Sequence, residues 1–365
     1  MRILHLNDRL SDRGGADIYM HGIIEQLVDL HDVHLAVSRA ENDFSVPCPV
    51  TVIDGLDSQH PVSVDLQPLL DRFRPDVIHL HNIVNASVLE QAADWPAVMT
   101  IHDHRSFCPG RGKLTLHGQV CRSSISLCRC PGCFTEPDYF QGRYEVTRQR
   151  LEAICKLRII VLSRYMNNEL VAAGVPEHQL DIIPPFVHGL DLDARAASIP
   201  CILFAGRLVE TKGIIPAIEA WKRAEVGLPL VFAGTGSGRN KLEASGHRVT
   251  GWLDRNTLSA WYRAAEVLVF PPLWQEPFGI SGLESLFFGT SVAAWQSGGI
   301  AEWHPDEELL VEWGDIDALA EAIRKGIGRQ TALPTKFAPA LLMEQLVGVY
   351  RTISASTVRA GTVTK

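Results

Sequence analysis

The sequence predicts two α/β domains, each built on a doubly wound parallel sheet. Ten short runs rich in β-branched residues alternate with longer helical patterns along the 365 residues. Several of these runs are apolar at every position, as strands buried on both faces of a parallel sheet are. A proline-containing break divides the runs into six and four. The predicted strands are residues 3–6, 33–37, 50–53, 77–80, 98–101, 159–162, 202–205, 230–233, 267–270 and 291–294.

The break between the two series holds the adjacent prolines Pro184 and Pro185, followed by a polar, alanine-rich stretch. Proline removes a backbone donor and disfavours helix in the residue before it, so a domain boundary is predicted here. Near the C-terminus, apolar residues recur at helical spacing. The predicted division is 1–185 for the first domain, 186–200 for a linker, 201–335 for the second domain, and 336–365 for a helix and a frayed tail.

Composition limits the possible functions. The formal net charge of -8 argues against general nucleic-acid binding, and 46% hydrophobic residues argue against disorder. No signal peptide and no apolar run of membrane-spanning length is found, so we expect a cytoplasmic protein. Residues 105–164 hold eleven Lys and Arg against four acids. This basic segment is either a solvated helical face or a surface that faces an anionic acceptor or anionic lipid on the inner side of a membrane.

Two such domains are predicted to face a central cleft, with ligands bound at the carboxyl ends of the strands. After the first strand, Gly14 and Gly15 precede a helix, where free N–H groups can face a phosphate, although a plain turn explains the pair equally well. After the fifth strand comes His102, which is either a hydrogen-bond partner for a substrate hydroxyl or a structural histidine.

Two cations follow the first strand of the second domain. Arg207 and Lys212 lie on a glycine-bounded loop that starts at Gly206. Both side chains can converge on one anionic group and neutralise the charge that develops on a departing diphosphate.

A pair of glutamates lies further along, with Phe278, Gly279 and Ile280 between them at a predicted helix start. We expect Glu276 just before this helix and Glu284 about two turns into it. Carboxylates accept hydrogen bonds from vicinal diols, so one could hold a hexose and the other a ribose. Two unrelated surface acids are the alternative.

Five of the eight cysteines fall in the segment between His102 and the basic helix. A C-x2-C pair with two further thiols can build a structural zinc site in a loop too polar to order itself. Unligated thiols, or one or two disulfides, are the alternatives. The expected ligands are Cys108, Cys121, Cys130 and Cys133, with Cys128 as a spare.

Together these loops resemble the retaining GT-B glycosyltransferases of family four. The resemblance spans nearly the whole chain, and it rests on the order and spacing of its motifs. These are Gly14-Gly15, Thr100-x-His102-Asp103, Gly206-Arg207-x4-Lys212-Gly213, Gly234-Thr235-Gly236, Gly251-Trp252, Glu276-x7-Glu284 and Ser297-Gly298-Gly299-Ile300-Ala301-Glu302.

The resemblance implies roles for individual residues. Glu276 would contact the hydroxyls of the donor sugar, Glu284 would hold the ribose, and Arg207 and Lys212 would bind the diphosphate. His102 would hold a sugar hydroxyl near the reaction centre. The further implied donor-binding residues are Gly14, Gly15, Gly206, Gly234, Gly251, Trp252, Phe278, Gly279 and Ile280.

The resemblance also implies a front-face reaction that retains anomeric configuration, with no cofactor required for catalysis and no protein nucleophile. The donor is expected to be a nucleotide-diphosphate sugar, with UDP the commonest nucleotide. The expected acceptor is a lipid-linked or polysaccharide glycan of the cell envelope, bound by the first domain. The alternatives are a small soluble acceptor, such as a sugar phosphate or natural product, and a degenerate GT-B protein that binds without catalysis.

Overall fold

The computed structural model describes residues 1–41, 44–197 and 199–361, with side chains as far as residue 355. The chain divides into two compact units. Unit 1 consists of Met1–Pro185 together with the chain from Ala338 onward, and unit 2 is Phe186–Phe337. Residues 186–200, predicted as a linker, therefore belong to unit 2. The backbone N–H of Ala197 donates to the Ala260 carbonyl at 2.9 Å, which fixes this segment to a helix of unit 2.

Unit 1 is built on a seven-stranded sheet in the order β3-β2-β1-β4-β5-β6-β7. All six neighbouring pairs are parallel. The chain reverses its direction of winding between β1 and β4, which makes a topological switch point there. The strands are β1 Arg2–Leu10, β2 Asp32–Ala40, β3 Val50–Val52, β4 Val77–Leu80, β5 Ala97–Ile101, β6 Arg158–Val161 and β7 Leu180–Ile182.

Two helices of unit 1 begin at a polar side chain that satisfies a free backbone N–H group. The Asn85 side chain accepts from the Ser87 N–H, and the Ser163 hydroxyl accepts from the Met166 N–H. Apolar faces of the helices cover strand residues such as Leu6 and Ile78, which are fully buried. The helices are α1 Gly15–Leu27, α2 Gln67–Phe73, α3 Ala86–Ala92, α4 Pro137–Ile154 and α5 Arg164–Ala172.

Unit 2 is built on a six-stranded parallel sheet in the order β10-β9-β8-β11-β12-β13, with its switch point between β8 and β11. Its strands are β8 Cys201–Ala205, β9 Leu230–Ala233, β10 Arg248–Gly251, β11 Ala265–Phe270, β12 Ser291–Trp295 and β13 Leu310–Val311. Its helices are α6 Ile214–Ala224, α7 Arg239–Ala244, α8 Arg255–Ala264, α9 Ile280–Phe287 and α10 Ile316–Gly326.

The last helix, α11 (Pro339–Gly361), packs on β4 and β5 of unit 1. The hydroxyl of Tyr350, which is completely buried, lies 2.6 Å from Nδ1 of His79 in the core of the sheet. No helix in the described residues has the length and apolar character needed to cross a membrane.

The prediction of two doubly wound parallel sheets is confirmed, since each of the ten predicted strands overlaps an observed one. The structure adds three short strands, β7, β10 and β13, and each of them lies at the edge of its sheet.

Candidate active site

The loops that follow β8 and β11 meet at the switch point of unit 2. The backbone N–H groups of Leu273 and Trp274 both approach the Thr211 carbonyl, at 2.9 and 3.3 Å. Each loop leaves the carboxyl end of a central strand, where an open α/β sheet binds its ligands. The fold therefore brings together two loops that lie about 60 residues apart in the sequence.

Lys212 and Glu276 form an ion pair across these two loops. The Lys212 ammonium lies 2.7 Å from Oε2 of Glu276, and only 8% of the glutamate side chain and 16% of the lysine side chain are exposed. The indole N–H of Trp274 donates to the same carboxylate oxygen at 2.7 Å, and the ammonium stands 4.5 Å from the centre of the indole ring. Trp274 thus contacts both members of the pair, by a hydrogen bond and by a cation–π interaction.

The backbone on either side of Glu276 is fixed by the segment that follows β12. The Glu276 carbonyl accepts from the Gly299 N–H at 2.8 Å, and the Ser297 hydroxyl donates to the Trp274 carbonyl at 2.7 Å. Gly298 has φ +54°, and a methyl group there would stand 2.1 Å from the Glu276 carbonyl oxygen. Only glycine fits at this approach, so residues 297–299 hold the glutamate loop rigidly.

Replacing Trp274 by phenylalanine is expected to lower kcat/KM about tenfold for the sugar transfer that the resemblance implies. Phenylalanine retains a ring face for Lys212 but loses the N–H that orients Glu276, and one charge-assisted hydrogen bond contributes about 1.5–3 kcal/mol. Steady-state kinetics measure the change. Trp221→Phe is the matched control, because its indole N–H donates to the Leu228 carbonyl in the connection between α6 and β9 and not to a residue of the site. Equal kinetics for the two variants would contradict the assignment.

Glu284 lies in α9 and is held by two side chains of α8. Its Oε1 lies 2.6 Å from the Arg255 guanidinium, and the Tyr262 hydroxyl donates to its Oε2 at 2.8 Å. The carboxylate is almost completely buried. Arg255 also donates to the His188 carbonyl. Arg255 therefore balances the charge of Glu284, and the two contacts hold its carboxylate in one orientation.

The predicted distance of Glu284 into its helix was too long. The helix begins at Ile280, because Gly279 is in the left-handed region with φ +98° and Pro277 precedes it. Glu284 is thus the fifth helical residue, little more than one turn from the N-terminus. Glu276 lies before the helix, as predicted.

The glycine-rich turn after β9 packs against the loop after β8. Gly234 has φ +148°, and a methyl group there would stand 1.9 Å from the Gly206 carbonyl oxygen. The Leu208 N–H donates to the Thr235 carbonyl at 2.8 Å. The structure thus places Gly206 and Gly234 together beside Arg207, whose side chain is exposed.

The other predicted donor-binding residues of unit 2 are at two separate positions. Phe278 is buried, and its carbonyl accepts from the indole N–H of Trp303 at 2.5 Å, so only its N–H can face a ligand. Gly279 and Ile280 form the N-terminus of α9. Gly251 ends β10, and Trp252 follows it with 41% of its surface exposed.

In unit 1, Gly14 is extended and Gly15 is the first residue of α1. The first turn of α1 already holds the buried carboxylate of Asp17, which lies 2.8 Å from the Arg9 guanidinium. Burial raises the pKa of Asp17 to about 6. A phosphate at this helix end would therefore share its positive potential with Asp17, a feature that the Gly-Gly pair did not indicate.

His102 follows β5 as predicted, and its Nε2 is a buried nitrogen without a hydrogen-bond partner in the described structure. Its ring stands edge-on to Tyr19, with 5.1 Å between ring centres. Burial lowers the pKa of His102 to about 4, so the imidazole is neutral at physiological pH. A neutral imidazole with an unpaired nitrogen can donate to or accept from a substrate hydroxyl.

Three more buried histidines lie behind His102, and the sequence analysis did not single them out. Nδ1 of His5 lies 3.0 Å from Nε2 of His81, and Nε2 of His79 lies 2.8 Å from the Thr100 hydroxyl. In the described residues, His5, His79 and His81 are the group whose three possible metal-ligand atoms lie within 4.8 Å of one another. Since both nitrogens of His79 already have hydroxyl partners, the group forms a hydrogen-bonded core network.

These buried histidines predict that the folded protein loses stability in acid. Burial lowers the pKa of His5 to about 3 and that of His102 to about 4, and it lowers the pKa of His79 and His81 well below 6.5. The unfolded chain binds more protons below pH 6.5, so the free energy of unfolding falls as the pH decreases, by about 1.4 kcal/mol per pH unit for each histidine. Burial also raises the pKa of Asp17 and of Asp8, and these two carboxyls oppose the trend.

Urea unfolding at several pH values between 7.5 and 5.5 measures the effect. His5→Gln is expected to reduce the slope of stability against pH, whereas a change of the exposed His117 to glutamine leaves it unaltered. A stability that is constant over this range would contradict the prediction.

All eight cysteines are free thiols in the structure. The five between His102 and α4 lie in a segment of unit 1 that contains little regular secondary structure.

Two family models match the chain. The model described as Glycosyltransferase Family 4 matches residues 13–188, and the model described as Glycosyl transferases group 1 matches residues 199–328. These matches cover the loops after β1, β5, β8 and β11. The first match lies mainly in unit 1, and the second lies in unit 2.

Individual proteins are similar over much of the chain. The 2-deoxystreptamine N-acetyl-D-glucosaminyltransferase of Streptomyces fradiae is 25% identical over 88% of this chain and 80% of its own. The D-inositol 3-phosphate glycosyltransferase of Xylanimonas cellulosilytica is 29% identical over 68% of this chain and 62% of its own. TuaC of Bacillus subtilis, named for teichuronic acid biosynthesis, is 25% identical over 69% of this chain, and the match spans 61% of TuaC.

Solved structures share the fold. Anabaena Alr3699/HepE in complex with UDP has a TM-score of 0.62 and 17% identity, with 99% of this chain and 100% of that chain covered. Sucrose-phosphate synthase from Thermosynechococcus elongatus has a TM-score of 0.63 and 20% identity over 99% and 98% of the two chains. With two doubly wound sheets, the paired loops at the switch point and the two family matches, the chain belongs to the glycosyltransferases of family 4 and has the GT-B fold.

Proposed function

We propose that the protein transfers a sugar from UDP-sugar to an acceptor, with retention of anomeric configuration and without a cofactor. The observation that carries the proposal is the pair formed by Lys212 and Glu276 at the switch point of unit 2. The pair presents a cation for a diphosphate beside a carboxylate that can accept hydrogen bonds from sugar hydroxyls. The exposed Arg207 at the start of the same loop supplies a second cation.

The remaining parts of a nucleotide-sugar site are present in unit 2. The N-terminus of α9 offers free N–H groups to a phosphate, with Gly279 and Ile280 nearest. The exposed face of Trp252 is available for stacking on a nucleobase. Glu284 keeps accepting capacity for a ribose, because each carboxylate oxygen can accept more than the single bond it has from Arg255 or Tyr262.

In the proposed chemistry, Glu276 positions the sugar and does not attack it. Its Oε2 accepts from Lys212 and Trp274, which fixes the carboxylate so that its other oxygen, Oε1, can accept from the sugar hydroxyls. Lys212 and Arg207 stabilise the negative charge on the leaving diphosphate, whose oxygen then takes the proton of the acceptor hydroxyl. His102 in unit 1 is proposed to bind a sugar hydroxyl through its unpaired Nε2.

A thermal-shift panel of UDP, GDP, ADP and dTDP tests the nucleotide. Only a nucleotide that binds the folded state stabilises it, by about 2.7 kcal/mol at a concentration one hundred times Kd. UDP appears in the solved HepE complexes, and UDP is expected to give the largest shift here. If another nucleotide gives a larger thermal shift, that nucleotide replaces UDP in the proposal. Release of UDP from donor sugars without acceptor would exclude a non-catalytic binding protein.

The acceptor is proposed to be a lipid-linked or polysaccharide glycan of the cell envelope, reached from the cytoplasm. The charge of residues 105–164, however, is partly neutralised within unit 1. Five of its eleven basic side chains are in ion pairs with acids: Arg105, Lys113, Arg148, Lys156 and Arg158. This pairing weakens the attraction of the segment for anionic lipid.

A small soluble acceptor is the second candidate, and this neutralisation favours it. Two of the similar proteins are named for acceptors of this size, 2-deoxystreptamine and D-inositol 3-phosphate. Co-sedimentation with vesicles of phosphatidylcholine and phosphatidylglycerol separates the candidates. Binding that salt reverses would favour an acceptor at an anionic membrane surface, and its absence would favour the soluble acceptor.

A further inference from the structure

Residues 107–136 of unit 1 form a long segment with little regular structure. It runs from the 3-10 turn His104–Ser106 to α4. Within it are a bridge between Leu114 and Val120 and a short 3-10 turn, Cys130–Cys133. Phe107 and Leu114 are buried, but Leu116 and Leu127 are exposed, so the segment buries only part of its apolar surface. Loops of this length seldom keep one conformation without an added constraint.

Four of the five cysteines in the segment line one cavity of about 370 Å³. The fifth, Cys128, is exposed and is not among the lining residues. A methyl group placed on Gly110 would stand 3.9 Å from the sulfur atoms of both Cys108 and Cys133, so these two side chains flank the same point. The lining cysteines are Cys108, Cys121, Cys130 and Cys133.

The surroundings of these thiols suit metal-bound sulfur. The Ser126 N–H donates to the sulfur of Cys130 at 3.3 Å, and the backbone N–H of Cys121 donates to the Lys113 carbonyl at 2.7 Å. The Lys113 ammonium is buried and lies 2.6 Å from the Glu169 carboxylate, so its charge is already balanced.

We propose that Cys108, Cys121, Cys130 and Cys133 bind one Zn²⁺ ion as four thiolates and that this ion orders residues 107–136. Zinc prefers four sulfur ligands in a tetrahedron at about 2.3 Å, and each thiol releases its proton on binding. In the described residues, only one group of three or more possible metal-ligand residues has its ligand atoms within 4.8 Å of one another, and it consists of His5, His79 and His81. The four sulfur atoms must therefore move closer to one another when the ion binds. The cavity between the thiols leaves space for this movement.

Metal analysis of protein purified under reducing conditions, with zinc supplied during expression, tests the site. About one zinc per chain is expected in the wild type and in Cys128→Ser, and less than one tenth of that in Cys130→Ser. Cys128 is the matched control, because it lies in the same segment but outside the cavity. A wild-type protein with only traces of zinc, or equal zinc loss in the two variants, would overturn the proposal.

Two measurements remain informative if Cys130→Ser folds poorly. Cobalt exchanged into the wild-type protein is expected to give intense thiolate-to-metal charge-transfer absorption, whose absence would contradict ligation by sulfur. Alkylation of the unreduced, chelator-treated protein after denaturation, which also exposes the buried Cys201, is expected to modify all eight cysteines. Fewer modified cysteines would indicate disulfides in place of zinc.

Limited proteolysis links the ion to the order of the segment. Cleavage between residues 107 and 136 is expected to be at least tenfold faster after zinc is removed, while cleavage elsewhere in the chain is unchanged. Equal cleavage rates with and without zinc would exclude the ordering role.

Discussion

Replacement of Glu276 by alanine is expected to lower the turnover number for sugar transfer by about 10²- to 10³-fold, the loss typical of removing one group that stabilises a transition state. The substitution removes the carboxylate proposed to hold the donor sugar, and it leaves Lys212 without the partner that fixes it at 2.7 Å. Transfer of sugar from UDP-sugar to an acceptor, followed as product formation, measures the loss.

Two further variants distinguish loss of the Glu276 carboxylate from a general disruption of the site. Glu276→Gln keeps an oxygen that can accept from Trp274 but removes the charge, and an intermediate rate is expected. Glu284→Ala should mainly weaken UDP binding, seen as a smaller thermal shift, because Glu284 is proposed to contact the ribose and not the sugar. Normal turnover in a folded Glu276→Ala protein would refute the assignment of this residue.

Arg150→Met is expected to lower the free energy of unfolding by about 3 kcal/mol. Arg150 lies in α4 and is completely buried. Its guanidinium donates to the carbonyls of Val84 and Gln59 at 2.7 Å each. Burial lowers its pKa to about 10. Methionine fills a similar volume but leaves the carbonyl of the buried Val84 without this donor, at about 1–3 kcal/mol, and it also removes the bond to the carbonyl of the exposed Gln59, at about 1 kcal/mol. Urea unfolding measures the difference.

Arg148→Met is the control on the same helix. The Arg148 guanidinium pairs with Glu145 and Glu152 on the exposed face of α4, and exposed pairs of this kind contribute little to stability. Its urea midpoint should stay within error of the wild type. Equal destabilisation by the two substitutions would show that the buried hydrogen bonds of Arg150 do not account for its effect.

The central strands of both sheets could be predicted because they are buried on both faces. Runs such as those of β8 and β9 are apolar at every position, and no helix of ordinary length fits them. The missed strands were edge strands with weaker patterns. β10 reads Arg-Val-Thr-Gly, and β13 has two residues. Their strand structure depends on pairing with β9 and β12, which a local pattern does not contain.

The candidate site was predictable where it follows the strands directly. The sheet topology brings Lys212 and Glu276 together, and both were identified from their position after a strand. Trp274 was missed because its contact with Glu276 depends on the conformation of the loop. Arg255 and Tyr262 are seven residues apart on one face of α8, but nothing local indicated that this face meets Glu284. His79 lies in β4 and His81 directly follows it, within an apolar run whose pattern predicts only a buried strand.

The contact between His79 and Tyr350 has a consequence for the order in which the chain acquires its structure. Unit 1 is discontinuous, whereas unit 2 is the continuous segment Phe186–Phe337. During synthesis, all of unit 2 is made before Tyr350, and unit 1 cannot be completed until α11 has also left the ribosome. Until then, the imidazole of His79 lacks its partner on α11. Completion of unit 1 is thus a late, long-range step.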